Sequence, residues 1–442
     1  MKKFKGIHMY IEIKNFNDVV ENEQKKTGKV TKSIHLLNTY FSSIERYCSK
    51  NGYKLQIEKI TGSRLHLYTE EDITQSINSV IEVTCYSYKL SKRIISEISK
   101  YNGLDELSIR IGAAYGKYYD YVFDYENNDE YTSIGYACNY SAKILNITNE
   151  YYFSVDSDIY NILNPVFKKS FIRKTISTMP DHFYYSSSLK DIYSIFTKND
   201  KVEKAIDEDI ENANKIKLSD IEFSEIRDSI NFDNITVENC KSFSGVALFI
   251  DIRDFSKQFD KDDINLDEMA AKTKNVLELM YKEVIRNKGT HIQFQGDREF
   301  AIYYSVNPAT ACKNAIITGL HLIDNVKSFN ISVGVGSSYG KLYITKIGLR
   351  NNKDNIVLGK TVNDADENED SNANKNWMVI SEDMYQKIKD NKALADLFDY
   401  NNEKHFYYTS RGYQNYCNLY EHYRLKENNK NNNYNGAWGN GL

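Results

Sequence analysis

Two phrases in the second half of the chain carry residues that could do chemistry: "GVALFIDIRDFSKQF" from Gly245 and "QFQGDREFAIYY" from Gln293. Asp251 closes one apolar run and Asp297 sits in the turn after another. Taken singly, each is an ordinary strand-end or turn acid. Taken together on adjacent strands, two carboxylates repel while both are charged. A hard cation removes that repulsion, because Mg2+ or Mn2+ takes oxygen ligands and is completed by the phosphate oxygens of a substrate. Asp251 and Asp297 are therefore candidate ligands of a metal pair, two ions in one site, that holds a nucleoside triphosphate. The phrase "DIRDFS" then offers backbone N–H groups leading into a helix, a cradle for phosphate oxygens. Arg253, Phe255 and Ser256 are its candidate contacts.

The elements that must position these acids occur twice. "YIEIKNF" (10–16) matches "FIDIRDF" (249–255), and "KNGYKLQIEKITGSRLHLY" matches "NKGTHIQFQGDREFAIYY". "IRIGAAYGKYY" matches "VGVGSSYGKLY", "SIGYACNYSAKI" matches "VLGKTVNDADEN", and "DHFYYSSS" matches "KHFYYTSR". Five phrases in one order describe a tandem duplication. In the second copy a strand at about 247–252 precedes a helical segment in which Met269, Thr273, Val276, Met280 and Val284 recur near helical spacing. A hairpin about Gln295-Gly296-Asp297 follows, then a helix capped by Asn307 with Pro308 in its first position, running to about Val326. A strand pair is expected around Gly336–Gly340. The order βαββαβ implies α+β architecture, a split-βαβ (ferredoxin-like) sheet in each half with helices on one face. The expected boundaries are a first domain at 1–187, a charged helical linker at 188–240, a second domain at 241–425, and a disordered polar tail at 426–442.

Length and composition bound the rest. A chain of 442 residues is too long for one ordinary core and suits two domains. Apolar residues at 41% and charged residues at 27% suit a soluble globule, and a net charge of −4 argues against nucleic-acid or membrane-surface binding. The six cysteines lack zinc-finger or CxxC spacing, which points to free thiols in a reducing cytoplasm. The N-terminus has no apolar signal-peptide core, and no apolar run reaches the roughly 18 residues of a membrane span.

The phrase "FIDIRDFS", the "GD" 46 residues on, the glycines Gly336 and Gly340 and the phrase "VLGKTVN" resemble the catalytic domain of the class III nucleotidyl cyclases. The resemblance spans both repeats, about four-fifths of the chain. It implies two such domains packed head to tail, a pseudo-dimer within one monomer. It implies that one domain supplies two metal aspartates and a carbonyl one residue past the first: here Asp251, Ile252 and Asp297. The other domain supplies an Asn and, four residues on, an Arg that stabilises the transition state. The first repeat has Glu12 and Ser63 in the metal places, so its metal set is lost. The Asn place holds Asn139 and Asn363, and the Arg place holds Lys143 and Glu367. The losses are complementary, and they imply one working site from Asp251 and Asp297 with Asn139 and Lys143. A phosphate-binding Arg that the family often places two residues before the glycine phrase is Arg110 in the first repeat and Gly334 in the second. Arg253, Arg298 or Lys341 would have to replace it.

For the base, the resemblance places a purine-reading Lys five residues before the turn glycine and an Asp or Thr seven before the Asn. Those places hold Ile57 and Thr132, with Lys59 able to serve only from a shifted register. The expectation is a pyrimidine cyclase similar to those of bacterial Pycsar antiphage systems. Such an enzyme turns UTP or CTP into cUMP or cCMP for a separate effector protein. An adenylyl cyclase and a catalytically inactive nucleotide-binding homologue are the alternatives. A palm enzyme with the same core would need a GG[DE]EF motif, which the chain lacks.

Overall fold

The computed structural model describes residues 2–436 apart from 126–127, 177–178, 219–220, 227–231, 233, 256–265 and 350–353. The first half runs β1 (Lys2–Ile13), α1 (Phe16–Thr27), α2 (Thr31–Lys50), β2 (Gln56–Thr61), β3 (Arg64–Tyr68), α3 (Ile73–Glu97), β4 (Ile109–Tyr125), β5 (Asn128–Gly135), α4 (Tyr136–Ile147) and β6 (Tyr152–Val155). It closes with α5 (Ser157–Ile162), α6 (Pro165–Lys168), β7 (Ile172–Ile176), β8 (Met179–Ser188), α7 (Leu189–Ile195) and α8 (Asn199–Lys215). The second half repeats the plan: β9 (Glu222–Glu225), β10 (Asn239–Ile252), α9 (Leu266–Arg286), β11 (Thr290–Gln295), β12 (Arg298–Tyr303), α10 (Pro308–Asn325), β13 (Val333–Ile347), β14 (Asp354–Leu358), α11 (Lys360–Glu367) and β15 (Trp377–Ser381). α12 (Glu382–Ile388), α13 (Lys392–Ala395), β16 (Asp399–Asn401), β17 (Phe406–Thr409) and α14 (Tyr413–Gly436) complete it.

The two sheets have the same order, β2-β3-β1-β4-β6-β8-β7 and β11-β12-β10-β13-β15-β17-β16. The duplication is thus a duplication of topology. Strand periodicity splits each sheet into an apolar face and a chemical face. In β1, Ile7, Met9, Ile11 and Ile13 enter the large core, while His8, Tyr10 and Glu12 alternate with them on the other face. In β10, Val246, Leu248, Ile250 and Ile252 enter the core, and Ala247, Phe249 and Asp251 face the other way.

Four expectations are corrected. Helices cover both faces, because α4 packs across β4 and α11 across β13 on the chemical face, opposite the core helices. Glycines make this close approach possible: a Cβ at Gly112 would lie 2.7 Å from Leu145 N, and one at Gly336 would lie 2.1 Å from Glu369 N. The segment 336–340 is one strand, since β13 runs unbroken through both glycines and pairs with β10, β14 and β15 in turn. The segment 188–240 is more than a spacer. Its helix α8 buries Val202, Ile206 and Ala213 in the first core, and β9 joins the second sheet beside β10. The helix α14 also runs through Gly436, into the tail expected to be disordered. All six cysteines are free thiols, and no helix among the described residues is long and apolar enough to cross a membrane.

Candidate active site between the halves

The chemical faces of the two sheets meet, and a cavity of about 460 Å³ lies between them. The second half contributes Asp251, Ile252, Arg253, Phe255, Asp297 and Arg298, and the first contributes Tyr10, Lys59, Arg64, His66 and Lys143. Asp251 is the penultimate residue of β10, and Asp297 is carried by the two-residue turn between β11 and β12, where Gly296 takes the left-handed φ of 72° that such a turn needs. Burial and the neighbouring Asp297 and Glu369 carboxylates hold Asp251 well above the usual carboxylate range. Asp297 is pushed up to about 7, again by burial and by Glu369. This crowding fits an oxygen-ligated divalent cation, which relieves the repulsion that protonation otherwise relieves.

A basic frame surrounds the acids. Arg253 approaches Asp251 at 3.3 Å and the buried Glu369 at 2.7 Å, while Arg298 meets the other oxygen of Glu369 at 2.6 Å and lies over the Phe249 ring. Two of the three suggested replacements for the missing arginine are therefore present, fixed by an acid that sequence reading missed. Lys341 is the exception: it pairs with Glu225 at 3.7 Å and does not line the cavity. Ser256 lies outside the described residues. The backbone N–H of Arg253 is spent on Ser332 O at 2.8 Å, so at that residue the guanidinium and not the amide is on offer.

From the first half, α4 brings Lys143 to the cavity wall. Asn139 lies one turn earlier and does not line the cavity, but its Nδ2 is buried without a hydrogen-bond partner among the described residues. An orphan donor beside a lysine is what a group accumulating negative charge would use.

The base position needs a correction. Ile57 does not line this cavity; it faces a separate one with Tyr53, Tyr68 and Asp120. The cause is a β-bulge: Ile57 pairs with Leu67 but Lys59 pairs with His66, so Glu58 is the extra residue and the strand turns Lys59 inward. Lys59 Nζ then donates to Thr132 Oγ1 at 2.7 Å, Glu130 Oε1 at 2.9 Å and Phe294 O at 2.9 Å. Thr132 thus sits against Lys59 and, unlike it, does not itself line the cavity. β11 carries the same bulge, with Gln293 in the place of Lys59.

A mirror-related cavity of about 580 Å³ has Glu12, Ser63, Arg64 and Arg110 from the first half facing Gln293, Asn363 and Asp366 from the second. Glu12 is bound there by two guanidinium groups, Arg64 at 2.8 Å and Arg110, so cations from the chain occupy the acid. Glu367 is exposed and does not line this cavity.

No protein-family model matches the chain, and no curated protein matches it. Among solved structures, a class III adenylyl cyclase-like ATP-binding protein from Pseudomonas aeruginosa is similar over 94% of this chain and 90% of its own, with a TM-score of 0.71 at 14% identity. The chain has the class III cyclase fold, in two tandem copies. Shorter matches include the adenylyl cyclase CyaB from P. aeruginosa, 20% identical over 34% of this chain and 83% of its own, at a TM-score of 0.32. The guanylate cyclase domain of RhGC from Catenaria anguillulae is 21% identical over 34% and 84%, at 0.31.

Proposed function

We propose that the chain is a nucleotidyl cyclase that converts a nucleoside triphosphate into its 3′,5′-cyclic monophosphate and pyrophosphate. The observation that carries this is the shared cavity: Asp251 and Asp297 of one half and Lys143 of the other line the same space. Mg2+ or Mn2+ held by Asp251, Asp297 and the Ile252 carbonyl would neutralise triphosphate charge and acidify the 3′-hydroxyl. The chain's own groups do the rest. In the reaction the 3′-oxygen loses its proton and bonds to the α-phosphorus while the bond to pyrophosphate breaks. Lys143 and the Asn139 amide then stabilise the charge that builds on the α-phosphate oxygens. Arg253 and Arg298, held in position by Glu369, would meet the outer phosphates. The mirror cavity, with its acid neutralised by arginines, supports no second turnover site.

The pyrimidine expectation, cUMP or cCMP as an antiphage messenger read by a separate effector, rested on the lack of a base-reading lysine. Lys59 removes that ground. Lys59 spends its three N–H groups on Thr132, Glu130 and Phe294, and a base that displaces one of these acceptors would meet a lysine donor beside a threonine hydroxyl, the match for a ring-nitrogen acceptor next to an amine. Adenine and cytosine present that edge, while uracil presents the reverse. With an ATP-binding protein similar in fold, ATP is the substrate we propose first and CTP second. The test is mass spectrometry of products from the four ribonucleoside triphosphates with Mn2+. Cyclic AMP as the main product is expected, and cUMP as the main product would refute the reading of Lys59 and Thr132. Arg253 leaning on Asp251 gives a second reading, a nucleotide-binding protein without turnover. ATP binding with no cyclic product under any divalent ion would establish it.

A further inference from the structure

We propose that His8, Glu58 and His66 form a site for a transition-metal ion of the Zn2+ class, separate from the acids Asp251 and Asp297. The three residues come from three adjacent strands, β1, β2 and β3, and share the chemical face of the first sheet. One ligand atom of each lies within 4.8 Å of the others. His8 Nδ1 stands 2.9 Å from His66 Nε2, and His66 Nδ1 stands 3.1 Å from Glu58 Oε2. These two separations use opposite nitrogens of the His66 ring, of which one ion takes only one; an ion with bonds of about 2.0–2.1 Å holds tetrahedral ligand atoms roughly 3.4 Å apart, inside the 4.8 Å within which one atom of each residue already lies. Rotation of the His66 ring decides which of its nitrogens turns to the ion.

Three further observations point the same way. His8 Nε2 is buried without a hydrogen-bond partner among the described residues, while Glu58 Oε1 is anchored by the Ser133 amide at 3.0 Å and Glu58 Oε2 is turned to the His66 ring. A carboxylate fixed through one oxygen, with the other turned toward the two imidazoles, is oriented as a ligand. The site also has a way in, since Glu58 and His66 line the catalytic cavity. The strongest argument is internal. In the second half the equivalent positions are Ala247, Ile292 and Phe300, all buried, with the same bulge and the same cross-strand pairing. The fold therefore builds this place from apolar residues when nothing is required of it. Burying two imidazoles and a carboxylate there is costly unless they are paired or bound to an ion. Two nitrogen ligands and one carboxylate suit Zn2+, whereas Mg2+ prefers an all-oxygen set, so the two sites sort their ions by ligand type.

The test does not use turnover, so it stands or falls separately from the cyclase reading. The full-length chain, stripped with a chelator, is dialysed against micromolar Zn2+ in excess Mg2+, and bound zinc is measured. One Zn2+ per chain is expected for the wild type and for Asp251→Asn, and none for His8→Ala or for His66→Phe, which installs the residue of the sister repeat. Co2+ should give the intense visible absorption of a four-coordinate site in the wild type only. Should His66→Phe fold poorly, Glu58→Gln keeps the side-chain shape and should weaken Zn2+ binding at least tenfold. A wild type that binds no zinc, or histidine variants that bind as much as the wild type, would overturn the proposal.

Discussion

Lys143 and Glu367 occupy one place in two repeats and carry opposite charges, which makes them the clearest residue-scale contrast. Lys143→Ala should lower turnover roughly 10²- to 10³-fold, the size of losing one preorganised donor, with substrate affinity changing less. Glu367→Ala, exposed and off both cavities, should do little. Asp251→Asn and Asp297→Asn should each abolish product formation while the circular dichroism spectrum is kept, and Ser63→Ala should stay within a few-fold of wild type. Full activity in both aspartate variants would refute the metal assignment. Lys59→Met tests the base reading. Uncharged but similar in length, methionine should raise the KM for ATP tenfold or more and change kcat less, since the lysine binds base rather than reacting phosphate. That Asp251, Asp297 and Lys143 share one cavity was legible because each repeat serves as a reference for the other, whereas Asn139 and Thr132 stand behind its wall. Lys59 was misplaced and Glu369 was missed for different reasons. A bulge shifts which side chain turns inward without leaving a mark in the spacing, and Glu369 reaches Arg253 and Arg298 only through tertiary packing.

At the scale of elements, periodicity gave the strands, the Asn307-Pro308 helix start and the hairpin at Gly296, all local in origin. The second helical layer was legible only in part. The alternation of His8, Tyr10 and Glu12 with Ile7, Met9 and Ile11 is the signal of a second, used face. What covers that face depends on Gly112 and Gly336, whose missing side chains admit α4 and α11. Gly112→Ala would place a Cβ 2.7 Å from Leu145 N and 2.8 Å from Leu145 Cα, both backbone atoms, so α4 must move outward. Overpacking of this kind costs about 1–3 kcal/mol. The same shift draws Lys143 away from the cavity, and a displacement of about 1 Å can cost on the order of 10²-fold in rate. Urea unfolding and kcat measured together should show both losses. A loss of stability with unchanged kcat would mean that α4 does not set the position of Lys143.

At the scale of the molecule, the halves are joined by a buried polar bridge as well as by chain. Glu130 of the first half accepts from Lys59, from the Phe294 amide at 2.7 Å and from His291 Nε2 at 2.7 Å, and His291 Nδ1 meets the buried Glu299 at 2.8 Å. Burial alone would lower the His291 pKa, but the Glu299 and Glu130 carboxylates overcome it and raise it to about 10. The folded state thus keeps a proton that the unfolded chain releases near 6.5. Its contribution to stability is full below that value and is lost as pH rises through about 10. Stability measured from pH 6 to 10 should fall more steeply in the wild type than in His291→Gln. Parallel pH profiles would show that the bridge does not hold this proton. The same bridge bears on how the site is assembled. Lys59 of one half bonds to Phe294 of the other, and the Ile60 amide bonds to Asp354 at 2.7 Å, so the two halves of a single chain complete one cavity. The connection between them is itself docked, with α8 in the first core and β9 in the second sheet, which leaves little freedom to exchange halves between chains. A chain carrying Asp251→Asn and a chain carrying Lys143→Ala each lack one side of the site. Mixed in equal amounts, they should show only the residual activity of the separate variants at every protein concentration. Activity that recovers on mixing, and rises with concentration, would show that halves from different chains pair and that the working site is assembled between molecules.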